Sequence, residues 1–373
     1  MHLPLPGQPL DAVDTPALVV DYGILVDNLS RLQQAADAAG LQLRPHIKAH
    51  KTPEIAQLQF RLGAVGVTCA KLGEAEVMAT AGVEDIFIAN QIVGETKIRR
   101  LVALARRVPK LSVAVDSLEV ARPMSAACVA AELTIDVLIE VDAGAARCGV
   151  VPDAVVPFAR ELAGLPPTST TPSRSATSRA YAARSYVGDW KQRRAFCRQE
   201  GMELAAIAQE LRADGHVITR VSGGSTPSGL CYEPGCGLTE IRSGTYCLND
   251  HNQVDLGTCT REQVAATVLA TVISRPAPDR AILDAGSKAL DQQVGRLTEG
   301  YGWLLDPPEA NVVKINDEHG YLDARAGSLR VGDKVRIIPP RICTCLNLYD
   351  WMVVTQGGVV RDVWRIAARG CNT

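Results

Sequence analysis

The fold this sequence predicts is a (β/α)8 TIM barrel followed by a small all-β domain. Three observations carry that expectation. From about residue 16, short β-branched runs alternate with Ala/Leu-rich stretches of helical spacing, one unit roughly every 20 to 30 residues, which calls for a parallel sheet with right-handed crossovers. Polar residues follow most of the strands: Lys48, Lys71, Asn90, Asp116, Asp142 and Ser222. A barrel gathers such strand ends around one mouth, where active sites lie, whereas an open doubly wound sheet would spread them along an edge. Near residue 258 helical periodicity nearly vanishes and β-rich runs take over.

The elements follow in order. Leu18 to Asp21 reads as a strand, and Ile24 to Ala38 as a helix with Ile24, Leu25, Leu29, Leu32, Ala35 and Ala36 on one face. Leu41 to Arg44 is a strand that ends at a basic octet. Thr52 to Leu62 is a helix with Pro53 in its first turn, where proline is tolerated. Strands at Gly66–Ala70, Asp85–Ala89, Leu111–Val115, Ile135–Val141 and Val217–Ser222 alternate with helices at Leu72–Ala81, Thr96–Ala105, Ser117–Ala131 and Gly201–Gly215. Beyond them, Val268–Ser274, Ala281–Leu283, Gly332–Ile338 and Trp351–Thr355 read as strands. The expected domains are therefore a barrel over 25–257 and a β-domain over 258–373, joined by the N-terminal segment 1–24.

Composition excludes several classes. With 373 residues, 47% of them apolar, the chain can bury a large core, and a formal net charge of −2 gives no basic footprint for nucleic acid. No run of about 18 apolar residues is present to span a membrane, and the N-terminus shows no signal peptide. Eleven cysteines without framework spacing read as reduced thiols of a cytoplasmic protein.

The chemistry concentrates at strand ends. Arg44-Pro45-His46-Ile47-Lys48-Ala49-His50-Lys51 packs two lysines, two histidines and an arginine together. Cationic neighbours or burial would lower a lysine pKa and make it a nucleophile, so Lys48 is the candidate; a solvated basic loop is the plain alternative. Arg147 can hold a phenolate or carboxylate. Ser222 followed by Gly223-Gly224-Ser225-Thr226 can aim backbone N–H groups at a phosphate, and Ser243-Gly244-Thr245-Tyr246 is a second small-residue loop of that kind. Each alone is weak, since a Gly-Gly-Ser-Thr stretch is more often a plain turn. Together a lysine, an arginine and two such loops suit pyridoxal phosphate.

These residues bring out a resemblance. Asp14-Thr15-Pro16-Ala17-Leu18, the basic octet, Glu140-Val141-Asp142 through Arg147-Cys148-Gly149-Val150, Asp284-Ala285-Gly286, Ile315-Asn316-Asp317-Glu318-His319-Gly320 and Asn347-Leu348-Tyr349-Asp350 resemble the fold-type III, alanine-racemase-like enzymes that use pyridoxal 5'-phosphate. Within that group the chain is most similar to the low-specificity D-threonine aldolases, with D-serine dehydratases as kin. The resemblance implies that Lys48 carries the cofactor, that Arg147 lies beside its phenolic oxygen, and that 222–226 with 244–246 surround its phosphate. It implies a divalent metal of the Mn, Mg or Zn type, a small D-amino acid substrate, and a head-to-tail homodimer. His319 is a catalytic candidate, with a buried structural histidine as its other reading.

Two departures stand out. Where the resembled aldolases have a strand followed by Tyr-His-Gly, this chain has Pro166 to Tyr181, rich in Pro, Ser and Thr, which reads as linker. A compensated frameshift accounts for it: codons for Pro167 to Pro172 can spell His-Leu-His-Tyr-Ala one frame over, and those for Ala176 to Ser178 can spell Tyr-Gln. The second departure is Arg341, at the family's metal-binding histidine. Arginine stays protonated and cannot ligate a metal. Cys343 survives as a soft ligand better suited to zinc than manganese. Three functions compete: aldol cleavage of D-threonine-type substrates, dehydration of D-serine or D-3-hydroxyaspartate, and cofactor binding without efficient catalysis.

Overall fold

Strand β1 (Ala17–Asp21) leads into helix α1 (Tyr22–Ala38), and after it eight strands run parallel. They are β2 (Gln42–Leu43), β3 (Val67–Cys69), β4 (Asp85–Ile88), β5 (Lys110–Val115), β6 (Asp136–Val141), β7 (Arg174–Ser178), β8 (Val221–Gly223) and β9 (Glu240–Ile241). The helices among them are α2 (Pro53–Leu62), α3 (Leu72–Thr80), α4 (Glu95–Ala105), α5 (Leu118–Ala130), α6 (Val155–Ala163) and α7 (Trp190–Ala213). This computed structural model describes residues 3–373 apart from 145, 167–173, 179–188, 296, 298 and 324–326, with 174–178 described in backbone only. The chain forms two units, one of residues 1–30, 49–55 and 245–370, the other of residues 31–48, 56–244 and 371–373.

In the second unit the strand order is β2-β9-β8-β7-β6-β5-β4-β3, each neighbouring pair parallel. The chain stays extended past Leu43, and His46 bridges to Thr68 of β3. Thr68 N–H donates to Pro45 O at 2.8 Å and Val65 N–H to Leu43 O at 3.0 Å. These bonds join the two ends of the order. Because the strands are parallel, their C-terminal ends share one side, and Lys71, Asn90, Asp116 and Asp142 each follow a strand by one or two residues. Phe87, Ala89, Ala114 and Leu138 form a buried apolar cluster contributed by consecutive strands.

The segment Pro166 to Tyr181 corrects the linker reading. Within it β7 takes its place between β6 and β8, with Val137–Val141 opposite Arg174–Ser178, and Ala176 and Thr177 opposite Val221 and Ser222. The cause is tertiary: two neighbours each present a row of donors and acceptors that must be paired, and this outweighs weak local β-propensity. Pro167 to Pro172, where the frameshifted phrase falls, and Tyr181 lie outside the described residues. Helix α7 begins eleven residues before the expected Gly201, started by Asp189, whose side chain accepts the Lys191 N–H at 3.0 Å.

The first unit carries β1 with β10 (Ala266–Ala277), β11 (Arg280–Leu283), β12 (Gly302–Leu304), β13 (Asn311–Ile315), β14 (Gly320–Leu322), β15 (Lys334–Ile338), β16 (Trp351–Gln356) and β17 (Val359–Arg365). Their order is β11-β14-β13-β12-β15-β10-β1-β16-β17, and β10 also pairs with β11, so six strands close into a ring. β1 lies antiparallel to β10 and parallel to β16, and Val13, Val19, Leu269, Val353 and Val360 cluster beneath it. Residues 245–257 pack here too: Ala265 N–H donates to Leu248 O at 2.8 Å, and His251 N–H to Pro339 O at 3.1 Å. None of the eleven cysteines forms a disulfide. Among the described residues no helix is long and apolar enough to cross a membrane.

Candidate functional site

Lys48 is the one exposed side chain between Leu43 and Thr52. The local chain explains why. His46 N–H donates to Ser243 O at 2.9 Å, which completes the ladder beside β9, and the backbone then turns through a 3-10 helix at Ile47–Ala49. Ile47 and Ala49 are fully buried, so the side chain between them is turned outward. The octet is not the cationic cluster its sequence implies. Arg44 is buried, with Nε 3.0 Å from Glu240 Oε2 and its guanidinium against Asp85. Burial works against the Arg44 charge, but Glu240 and Asp85 outweigh it and raise its pKa. Burial likewise acts to raise the Glu240 pKa, but Arg44 and Arg220 prevail and lower it. Lys51 is buried, with Nζ 3.4 Å from Ala368 O.

The glycine-rich loop after β8 is built from inside. Gly224 has φ +83°, and Ser225 caps the short helix Thr226–Gly229 through reciprocal bonds with Ser228. Gly224 N–H lies 3.4 Å from Glu200 Oε1, and Ser225 N–H donates to Ser228 Oγ at 2.8 Å. Two N–H groups expected to face a phosphate thus have protein acceptors. The second loop meets the first: Arg242 N–H donates to Gly223 O at 3.0 Å and Ser243 Oγ–H to Ser225 O at 2.7 Å. Gly244 follows, packed on His46. Ser222 is fully buried and Thr226 nearly so.

Arg147 is exposed on the loop after β6. Asp142 Oδ1 shapes that loop by accepting N–H bonds from Gly144 at 3.0 Å and Ala146 at 3.2 Å. A Cβ on Gly149 would come 2.6 Å from Asp142 N, at φ +114°, so only glycine fits. Asp116 Oδ2 accepts the Gly149 N–H at 3.3 Å and the Gln91 amide at 3.0 Å, and that amide also donates to buried Glu140 at 2.6 Å. Lys48, Arg147, Ser222 to Thr226 and Gly244 therefore all belong to the unit of eight parallel strands.

Thr245 and Tyr246 belong to the β-rich unit, in a 3-10 turn at Thr245–Cys247. Thr245 Oγ1 and Cys343 Sγ are 3.6 Å apart. Arg341 is exposed and precedes the short helix Ile342–Cys345. Among the described residues no group of three or more His, Cys, Asp or Glu side chains could hold a metal ion. A zinc site takes three or four such donors, so the described residues do not form a site of that kind. His319 is exposed in the turn between β13 and β14, where Asn316 N–H donates to His319 O at 2.9 Å. The buried structural reading of His319 is thereby overturned: the turn is held by backbone and leaves its imidazole in solvent.

The family model of the alanine racemase N-terminal domain matches residues 20–251, more than half of the chain and all eight parallel strands. The chain belongs to this family. A serine dehydratase domain model matches residues 265–355. D-threonine aldolase from Arthrobacter sp is 40% identical over 374 residues, covering 98% of this chain and 95% of the relative. D-threo-3-hydroxyaspartate dehydratase from Delftia sp. is 32% identical, covering 89% and 91%. The crystal structure of D-threonine aldolase from Filomicrobium marinum matches with a TM-score of 0.90 at 33% identity, over 99% of this chain and 100% of that one. The fold is alanine-racemase-like, with a C-terminal β-domain.

Sequence reasoning missed the supporting carboxylates of this family member. Of Asp85 and Glu240, which hold Arg44, Asp85 was legible only as an ordinary strand residue, and Glu240 fell in no expected element. Glu200 carried a clearer signal. Arg193, Cys197, Glu200, Leu204, Ile207 and Leu211 recur at helical spacing on the buried face of α7, and an acid on that stripe needs a partner.

Proposed function

We propose that the protein is a pyridoxal-phosphate-dependent aldehyde-lyase that cleaves D-threonine and similar D-3-hydroxy amino acids to glycine and an aldehyde. The observation that carries this reading is Lys48, the lone outward side chain of a buried segment at the end of β2, in a chain 40% identical to a D-threonine aldolase along nearly its whole length. The eight-strand order joined at β2 and β3 is read as a (β/α)8 barrel with its active site at the C-terminal strand ends.

The donor set suits the cofactor. Lys48 would hold its aldehyde carbon, Arg147 its phenolic oxygen, and Ser222, Gly223, Gly224, Ser225 and Thr226 with Gly244 its phosphate. Bound there, the cofactor supplies an electron sink for the pair left at Cα when Cα–Cβ breaks. The chain's own task is to orient that bond and to take the proton from the substrate's β-hydroxyl. His319 is the candidate base, exposed and carried on a turn pinned by Ser287 N–H to Asn316 O at 2.8 Å and Lys288 N–H to Asp317 O at 3.2 Å. A homodimer acting in the cytoplasm on a free D-amino acid completes the reading.

Dehydration is the second reading, favoured by Cys343 and by the dehydratase relative. Product analysis separates them. D-threonine should give glycine and acetaldehyde in equal amounts. Ammonia and a keto acid from D-serine or D-3-hydroxyaspartate, with no glycine from D-threonine, would establish the dehydratase instead.

A further inference from the structure

Glu200 sits beneath the loop assigned above to the phosphate. It is 2% exposed, on the apolar stripe of α7. Oε1 is 3.4 Å from Gly224 N, and a Cβ on Gly223 would come 3.0 Å from the same oxygen. Oε2 accepts the Tyr232 hydroxyl at 2.5 Å. The titratable or charged groups facing it are Cys197 and Glu203 of its own helix, Tyr232 and Cys236 from the segment beyond the loop, and Arg242 from the segment after β9. One cation, the Tyr232 hydroxyl and one long N–H bond support the charge of a carboxyl that burial disfavours.

We infer that Glu200 is a positioning residue of the phosphate loop whose carboxyl takes up a proton as a phosphate group binds. This rests on the assignment of 222–226 to the cofactor's phosphate. The physics has two parts. A phosphate monoester brings up to two negative charges to a loop whose underside is a carboxylate, and like charge favours the neutral acid. Protonation also loosens the carboxyl's hold on Gly224 N–H, which becomes available to the phosphate. Burial already pushes the Glu200 carboxyl up to about 7, against the Tyr232 and Gly224 bonds and the Arg242 charge. The bound state then holds more protons than the free state above neutrality, and affinity falls as pH rises, by at most about tenfold per pH unit for one proton.

The test is cofactor binding to the full-length apoprotein, followed by absorbance, for the unaltered protein and Glu200→Gln at about pH 6 and about pH 8. The variant keeps an oxygen for Gly224 N–H and cannot titrate. The ratio of the unaltered protein's Kd to that of Glu200→Gln should rise by up to about tenfold from the lower to the higher pH. The phosphate's own ionisation is common to both proteins and cancels. Pyridoxal, which lacks the phosphate, should show no such rise. Tyr232→Phe removes a donor that favours the ionised acid, so the loss of affinity should begin at higher pH; this variant decides the matter if Glu200→Gln does not fold. A ratio that is flat with pH, an equal rise with pyridoxal, or an unmoved onset in Tyr232→Phe overturns the inference. If the unaltered protein binds no pyridoxal phosphate, the phosphate assignment itself fails and this inference falls with it.

Discussion

Gly244 lies against His46 so closely that a Cβ would come 2.8 Å from the His46 carbonyl oxygen and 3.1 Å from its Cβ. That carbonyl cannot retreat easily, because the His46 N–H is bonded to Ser243 O at 2.9 Å. The contact couples the second small-residue loop to the strand end two residues before Lys48. Gly244→Ala should therefore cost about 1–3 kcal/mol of stability through overpacking. It should also weaken cofactor binding by displacing the Lys48 turn. Thermal unfolding and cofactor titration of the variant check both; an unchanged Tm would show that the two segments part freely.

Lys48 is the second point of test. Lys51 is buried with its amine on Ala368 O, so the octet offers one outward amine. Borohydride reduction of the holoprotein followed by peptide mapping should find the cofactor on Lys48, and Lys48→Ala should lose all trapped cofactor. A label on Lys51 or Lys71 would refute the assignment.

That Lys48, Arg147 and the loop at 222–226 follow parallel strands was legible because the β-α units before them are periodic. What surrounds them was not. Arg44 looks like part of a cationic cluster until Asp85 and Glu240, 41 and 196 residues away in sequence, are brought to it by strand pairing. β7 was illegible for a related reason: Arg174 to Ser178 has little intrinsic preference for a strand, and its register is set by β6 and β8. Strands β12, β13, β14 and β17 were not read from the sequence either; β12 and β14 have three residues each, too few to show alternation.

Asp250 and His251 are neighbours in sequence with opposite proton linkage. Burial holds the Asp250 carboxyl up to about 7, although bonds from the Ile342 and Gln253 N–H groups and the Arg341 charge pull it down. Its folded pKa is raised from an ordinary 3.8, so its contribution to stability is complete below 3.8 and is lost as pH rises toward 7. Burial lowers the His251 imidazole from its ordinary 6.5, despite Asp255 at 3.4 Å. Its contribution is complete above 6.5 and is lost as pH falls. The two slopes oppose each other between about pH 4.5 and 6.5, each at most about 1.4 kcal/mol per pH unit. Asp250→Asn should make Tm rise with pH across this window relative to the unaltered protein, and His251→Gln should make it fall. Parallel Tm–pH profiles for all three proteins would contradict this.

Activity gives the last prediction, and it turns on position 341. The resembled aldolases place a metal-binding histidine there; this chain places an exposed arginine, whose guanidinium has no acceptor lone pair for a cation. Cys343, 3.6 Å from the Thr245 hydroxyl, remains a soft donor, and among the described residues it belongs to no group of three or more His, Cys, Asp or Glu side chains that could hold a metal ion. Cleavage of D-threonine by this protein should therefore survive exhaustive dialysis against a chelator unchanged. It should also be slow, because losing one acid–base group typically costs about 10²–10⁴-fold in rate and the help of a cation at the hydroxyl is lost as well. Arg341→His places an imidazole two residues from the Cys343 thiol. The variant should gain rate on addition of zinc or manganese and lose that gain to the chelator. Inactivation of the unaltered protein by the chelator, with recovery on adding metal, would mean that a cation is held without a histidine at position 341, and the argument from Arg341 would be wrong.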